Sequence, residues 1–115
     1  MIKRHAINMI WLDDMRDAGE PEWTRVKTVS EAIEHLEMRD VQVISLDYDL
    51  GAQKDATGHI ETGLDVLKWI EELVVSDPTY VQPIMRIHTN DQEALIEMKA
   101  IAKRINGITA SRRLH

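Results

Sequence analysis

Three short apolar runs alternate with longer stretches whose apolar side chains recur every three or four positions. Residues 6–12 (Ala6-Ile7-Asn8-Met9-Ile10-Trp11-Leu12) are apolar but for Asn8, as in a strand covered on both faces. The run stops at Asp13-Asp14. Residues 13–22 contain Gly19 and Pro21 and have no apolar period, so they read as a loop with at most one helical turn. Residues 23–29 alternate, with Arg25 and Lys27 on one side and Val26 and Thr28 on the other, which suits an edge strand. Residues 30–38 take the helical period, and Val29, Ile33 and Leu36 form the apolar stripe. Thr28 with Glu31 matches a capping box, and Ser30 competes for the cap.

The second apolar run, residues 41–47, predicts a central strand ending in Asp47. Residues 50–63 have no period and contain Gly51, Gly58 and Gly63, which predicts a long loop of the kind that serves as a lid or a binding loop. Thr62-Gly63-Leu64-Asp65 then caps a helix through Val74, with Leu67, Ile70 and Val74 inward, and Asp77-Pro78 ends it. Residues 84–89 predict a third central strand. Asn90 with Glu93 opens the clearest helix, whose Leu95, Met98, Ile101, Ala102 and Ile105 share one face and which Asn106-Gly107 stops. Residues 108–115 remain a last short strand or a tail.

Strands alternating with helices predict an α/β domain over residues 1–115, with a mostly parallel sheet of four or five strands and helices on both faces. A strand order of 2-1-3-4 places the ends of the first, third and fourth strands side by side. Trp11 and Trp69 read as core residues, and so does Trp23 beside the first loop.

Composition narrows the chemistry. The 115 residues are 43% apolar and 30% charged, ordinary for a folded domain, and contain no cysteine. A disulfide scaffold, thiolate metal sites and a cysteine nucleophile are thereby excluded. No apolar stretch approaches the ~20 residues of a membrane span, and no signal-peptide pattern opens the chain, so no membrane partner and a cytoplasmic address are expected. The formal net charge of -6 argues against an extended nucleic-acid surface, because Lys3, Arg4, Arg112 and Arg113 are too few to neutralise a phosphate backbone.

In open parallel sheets ligands bind beyond the carboxyl ends of the strands. This sequence places Asp13 and Asp14 there, then Asp47 with Asp49, then His88, Thr89 and Asn90. Crowded carboxylates raise one another's pKa unless a positive charge sits among them. Oxygen donors favour Mg²⁺, Mn²⁺ or Ca²⁺ as that charge, and a ligating His88 tilts the choice towards Mn²⁺. Alternation sends Asp13 and Asp14 to opposite sides while Asp47 and Asp49 share one, so all four do not ligate in the simplest geometry. Asn90 also reads as a helix cap. Lys54 is the basic residue nearest the rim in sequence, and Thr62-Gly63 puts a helix amino terminus there, a ready place for a phosphate.

Leu12-Asp13-Asp14, Ser45-Leu46-Asp47-Tyr48-Asp49-Leu50-Gly51, Thr62-Gly63 and His88-Thr89-Asn90 together resemble the cyclic-phosphate processing receiver-like domains, a family related to response-regulator receivers. The resemblance implies a flavodoxin-like, receiver-type three-layer fold whose first crossover lacks a full helix, and an acidic metal pocket. It also implies a role in handling cyclic phosphates, at RNA ends or on cyclic nucleotides. By position Asp13 and Asp14 match the acidic pair that holds the cation, Asp47 the phosphoacceptor carboxylate, and Thr89 the hydroxyl residue ending the fourth strand. The lysine that ends a receiver's fifth strand has no counterpart in residues 108–115, whose cations are Arg112 and Arg113.

Three functions follow. The first is a metal-dependent phosphoesterase acting on a phosphorylated small molecule or an RNA terminus. Asp13, Asp14 and Asp47 would hold Mg²⁺ or Mn²⁺, and Asp47, Asp49 and His88 would carry the chemistry. Thr89, Asn90, Lys54, Thr62 and Gly63 would meet the phosphate or substrate. The second is a non-catalytic module that binds a nucleotide or a partner protein. The third is a receiver that accepts phosphate on Asp47, which the missing lysine disfavours.

Overall fold

The structure, a computed structural model, describes residues 8–113. The expected strand start at residues 6–7, the basic pair Lys3 and Arg4, and the last two residues of the tail lie outside them.

Four strands form one all-parallel sheet: β1 (Asn8–Leu12), β2 (Trp23–Val26), β3 (Val41–Leu46) and β4 (Ile84–Ile87). Their order is β2-β1-β3-β4, the order that makes the ends of the first, third and fourth strands neighbours. Three helices connect or follow them: α1 (Val29–Glu37), α2 (Gly63–Ser76) and α3 (Gln92–Arg113). No helix among the described residues is long and apolar enough to cross a membrane.

The caps explain where the helices begin. Thr28 wins over Ser30 because its hydroxyl accepts the Glu31 N–H at 3.1 Å and donates to the Glu31 carboxylate. Thr62 closes a full capping box with Asp65. At α3 the expected cap shifts by one residue. Asp91, not Asn90, accepts the Ala94 N–H at 3.0 Å, which releases the Asn90 side chain from capping.

The expected stop at Asn106-Gly107 is overturned: α3 runs on through both residues to Arg113, so residues 108–113 form neither a fifth strand nor a loose tail. A mid-helix glycine costs about 1 kcal/mol relative to alanine. Here tertiary contacts offset that cost. Ile105 and Thr109 are buried, Ile108 packs on the core, and the Gln82 amide donates to both Asn106 Oδ1 and Thr109 Oγ1. Arg112 donates to the Val74 carbonyl at 2.7 Å and thereby satisfies the end of α2. The expected long loop at residues 50–63 is also more ordered than its composition implies. Lys54 pairs with Ile60 and Asp55 with His59 in a small antiparallel hairpin, which His59 ties to Asp65 of α2.

Alternation along the strands sorts the sheet into two unlike faces. Ile10, Leu12, Val26, Ile44 and Leu46 point into one apolar core, which also contains Leu36 of α1, Leu67 of α2 and Met98 of α3. The helical layer formed by the described residues therefore lies on one face, not on both as expected, because no helix connects β1 to β2 to cover the other. The opposite face carries Met9, Trp11, Trp23, Val43 and Ser45. The β1–β2 crossover, which the sequence predicts to lack a full helix, runs here as an extended loop. Trp11 donates its indole N–H to the Arg16 carbonyl of that loop at 3.0 Å and meets Trp23 edge to face at 5.6 Å. Trp11 and Trp23 are half-buried under this loop instead of inside the helix-covered core. Trp69 does pack against that core.

Candidate functional site

The parallel ladder continues one residue past each of three strands. Asp13 N–H donates to Val26, Asp47 N–H to Leu12, and His88 N–H to Leu46, at 3.1, 3.0 and 2.9 Å. Since Leu12, Leu46 and Ile87 are in register, the next residues Asp13, Asp47 and His88 stand level on the face away from the helices. One oxygen or ring nitrogen of each lies within 4.8 Å of the others.

Asp13 is only 1% exposed, yet it is saturated with partners. Its Oδ1 accepts the Met15 and Arg16 N–H groups, both at 2.9 Å, and so folds the crossover loop back over the strand end. Its Oδ2 faces His88 Nε2 at 3.2 Å. His88 Nδ1 is 2.7 Å from the hydroxyl of Ser45, itself 3% exposed. The Trp11 indole stacks on the imidazole at 3.7 Å between centroids and 8° between planes. The ring is held on one face and at both nitrogens.

These environments pull the three groups apart. Burial pushes the Asp13 carboxyl upward, but the Arg16 and Met15 N–H groups and His88 outweigh it and hold the group below the ordinary carboxylate range. Asp47 moves the other way. Its burial and then the charge of Asp13 raise it, and the Tyr48 N–H, 2.8 Å from Asp47 Oδ1, offsets only part of that. Burial lowers His88 more than the charges of Asp13 and Asp47 raise it, so the imidazole is neutral at pH 7. A neutral ring carries one N–H, and the rotatable Ser45 hydroxyl can serve either tautomer.

The donor set fits a divalent cation. Two carboxylates and a neutral imidazole converge, and Asp47 carries like-charge crowding that a cation relieves. Mixed oxygen and nitrogen donors suit Mn²⁺, while the carboxylates alone can serve Mg²⁺. The converging trio contains His88 in place of Asp14, which the sequence groups with Asp13 and Asp47. Asp14 still lines the same cleft, because the chain turns at Asp13 and no longer alternates. Gly51, with φ of 78°, makes room for it: a Cβ there would come 2.6 Å from Asp14 Oδ2.

The cleft encloses about 520 Å³ and is lined by Asp13, Asp14, Asp47, Asp49, Thr89 and Asn90. Asp49 accepts the Gly51 N–H at 2.9 Å, and Thr89 accepts the Asp91 N–H at 3.2 Å. Three further residues singled out in the sequence lie elsewhere. Lys54 sits in the 50–63 hairpin and does not line the cleft. Thr62 is engaged in the α2 cap. Gly63 donates its N–H to Tyr48 and lets α2 approach β3, since a Cβ there would stand 1.9 Å from the Asp47 carbonyl oxygen.

Sequence reasoning passed over three contributors. Arg16 supplies the cation at the rim, 3.9 Å from Asp13 Oδ2 and largely exposed. Asp91 adds another carboxylate to the lining. Ser45 orients His88, and it did leave a signal: a lone hydroxyl in an apolar strand, two residues before Asp47 and on the same side.

A family model described as the cyclic-phosphate processing receiver domain matches residues 8–104. No curated protein and no solved structure matches the chain.

Proposed function

The chain belongs to the cyclic-phosphate processing receiver domains, and from that premise we propose that its acidic cleft hydrolyses a cyclic phosphodiester with the help of a divalent cation. The observation that carries this reading is the convergence of Asp13, Asp47 and His88 at three adjacent strand ends, beside a cleft that Asp13 and Asp47 line. Asp13 and Asp47 would hold Mg²⁺ or Mn²⁺, with His88 as the third donor once its Nε2 gives up its contact with Asp13. When bound, the cation neutralises charge on the phosphoryl oxygens and makes phosphorus more electrophilic.

The chain's own groups divide the remaining work. Asp13 is locked by its loop and by His88, so it orients and does not exchange protons. His88 is committed to Ser45 and to Asp13 or the cation, which leaves Asp49, a lining carboxylate whose Oδ1 accepts the Gly51 N–H, as the better general base. Asp49 takes a proton from the attacking water as its oxygen bonds to phosphorus. The P–O bond to one ring oxygen breaks, and that oxygen receives the proton back. Arg16 and the uncapped Asn90 face the phosphate from the rim and fix its orientation.

The test is direct. Purified protein with Mn²⁺ or Mg²⁺ should open nucleoside 2′,3′-cyclic phosphates or cyclic dinucleotides to linear phosphates, followed by chromatography, and Asp49→Asn should slow the reaction by about 10²-fold or more. If every cyclic phosphate is recovered intact while the metal binds, the domain is a non-catalytic binding module and the hydrolytic reading fails.

A further inference from the structure

Beside the carboxylate cleft lies a second groove of about 390 Å³, and the two share Arg16, Thr89 and Asn90. They are two lobes of one depression. Their chemistry differs sharply. The first lobe is walled by carboxylates. The second is walled by Trp11, Ile87 and Leu95, with His88 at its inner end and Lys99 of α3 at its margin; Asp17 is its one carboxylate. A cation has no place there. A flat, partly apolar group does.

The imidazole of His88 reaches the first lobe through its contact with Asp13. Trp11 covers one of its faces and Asp13 and Ser45 meet its nitrogens, so it is the exposed part of the ring, with Trp11 beside it, that lines the groove. A planar ligand group laid there extends a stack that already exists, and base stacking on such platforms tolerates any base. The Leu95 and Ile87 side chains supply apolar contact. The Lys99 ammonium supplies a hydrogen-bond donor for a polar edge. An alkyl substituent would waste that donor, and a bare phosphate would leave the apolar walls uncovered.

We propose that the second lobe seats the nucleobase of a nucleoside cyclic phosphate whose phosphate occupies the carboxylate lobe. The inference rests on the hydrolytic reading above and names its substrate class. Base recognition is by stacking and by one polar edge, so purine and pyrimidine nucleosides both qualify.

The experiment compares two ligands in the presence of Mn²⁺: adenosine 2′,3′-cyclic phosphate and the base-free methyl riboside 2′,3′-cyclic phosphate. Affinity is read by calorimetry, or as KM where turnover occurs. The wild-type protein should prefer the nucleoside by about tenfold or more, in keeping with one stacked base. Leu95→Ala with Lys99→Glu should erase that preference and leave the base-free ligand unchanged. Lys99→Glu alone, at an exposed position, should reduce it by several-fold and guards against misfolding of the double variant. Equal affinity for the two ligands in the wild type overturns the base site while leaving the hydrolytic reading intact, and so does a preference that survives both variants. If neither ligand binds, the hydrolytic reading falls and the base site falls with it.

Discussion

Replacing Asp47 by asparagine should make the metal-free protein more stable, an unusual outcome for a change at a strand end in the middle of a site. The carboxylates of Asp13 and Asp47 approach within 4.8 Å through their nearest candidate ligand atoms, and two unit charges at that spacing repel by ~0.9 kcal/mol in water and ~3.5 kcal/mol at an effective dielectric of about 20. Asp47 opens onto the cleft, so the value near the lower limit governs, about 1 kcal/mol. Asparagine keeps the oxygen that accepts the Tyr48 N–H, so little is lost in exchange. For a chain of this size that gain raises Tm by roughly 4 °C. The pH dependence follows from the raised pKa of Asp47. Its contribution to stability is full below the unfolded value near about 3.9 and is lost as pH rises through the native value. The variant and the wild type should thus melt together in acid and diverge as pH rises to neutrality. Calorimetry with a chelator present measures the gap. Saturating Mn²⁺ should invert the order, since a ligand at ~100 times its Kd adds about 2.7 kcal/mol to the protein that binds it. A variant that melts below the wild type at pH 7 in chelator refutes the argument, because Asp47 would then be stabilised by its charge.

Two further predictions bear on neighbouring parts. Ser45→Ala removes the partner of His88 Nδ1 and should weaken Mn²⁺ binding about 10–100-fold in calorimetric titration. Ser45→Thr should restore part of the affinity, whereas a purely structural Ser45 would change stability without touching metal affinity. Gly107→Ala should stabilise the protein by about 1 kcal/mol in urea unfolding, because the position is helical and a Cβ there meets nothing within 4 Å. Destabilisation would show that α3 does not continue past Asn106.

The sheet and the site were legible to different depths. Short apolar runs closed by Asp13, Asp47 and His88 carried the central strands and the residues of the rim, because burial and strand period act locally on sequence. The end of α3 was hidden: Asn106-Gly107 is a strong stop signal by itself, and the contacts that overrule it come from Gln82 and Val74, distant in sequence. The choice between Asn90 and Asp91 as cap turns on a single residue of register. The sorting of Asp14, Lys54 and Thr62 away from the converging trio depends on where loops turn, which alternation does not predict. Arg16 was invisible for the same reason. Ser45 could have been found by asking why a strand buries a hydroxyl.

The Asp13 carboxylate has a double engagement. One oxygen holds the amides of Met15 and Arg16, and the other faces His88 across the candidate metal site. Order in the crossover loop and electron density at the ligand position are thus two uses of one group. A cation drawing on Asp13 would polarise the same carboxylate that the amides grip, so occupancy of the site and hydrogen-exchange protection at Met15 and Arg16 would be thermodynamically linked, each shifting with the other. A segment that replaces a helix thereby becomes the part of the molecule in which the state of the site is written.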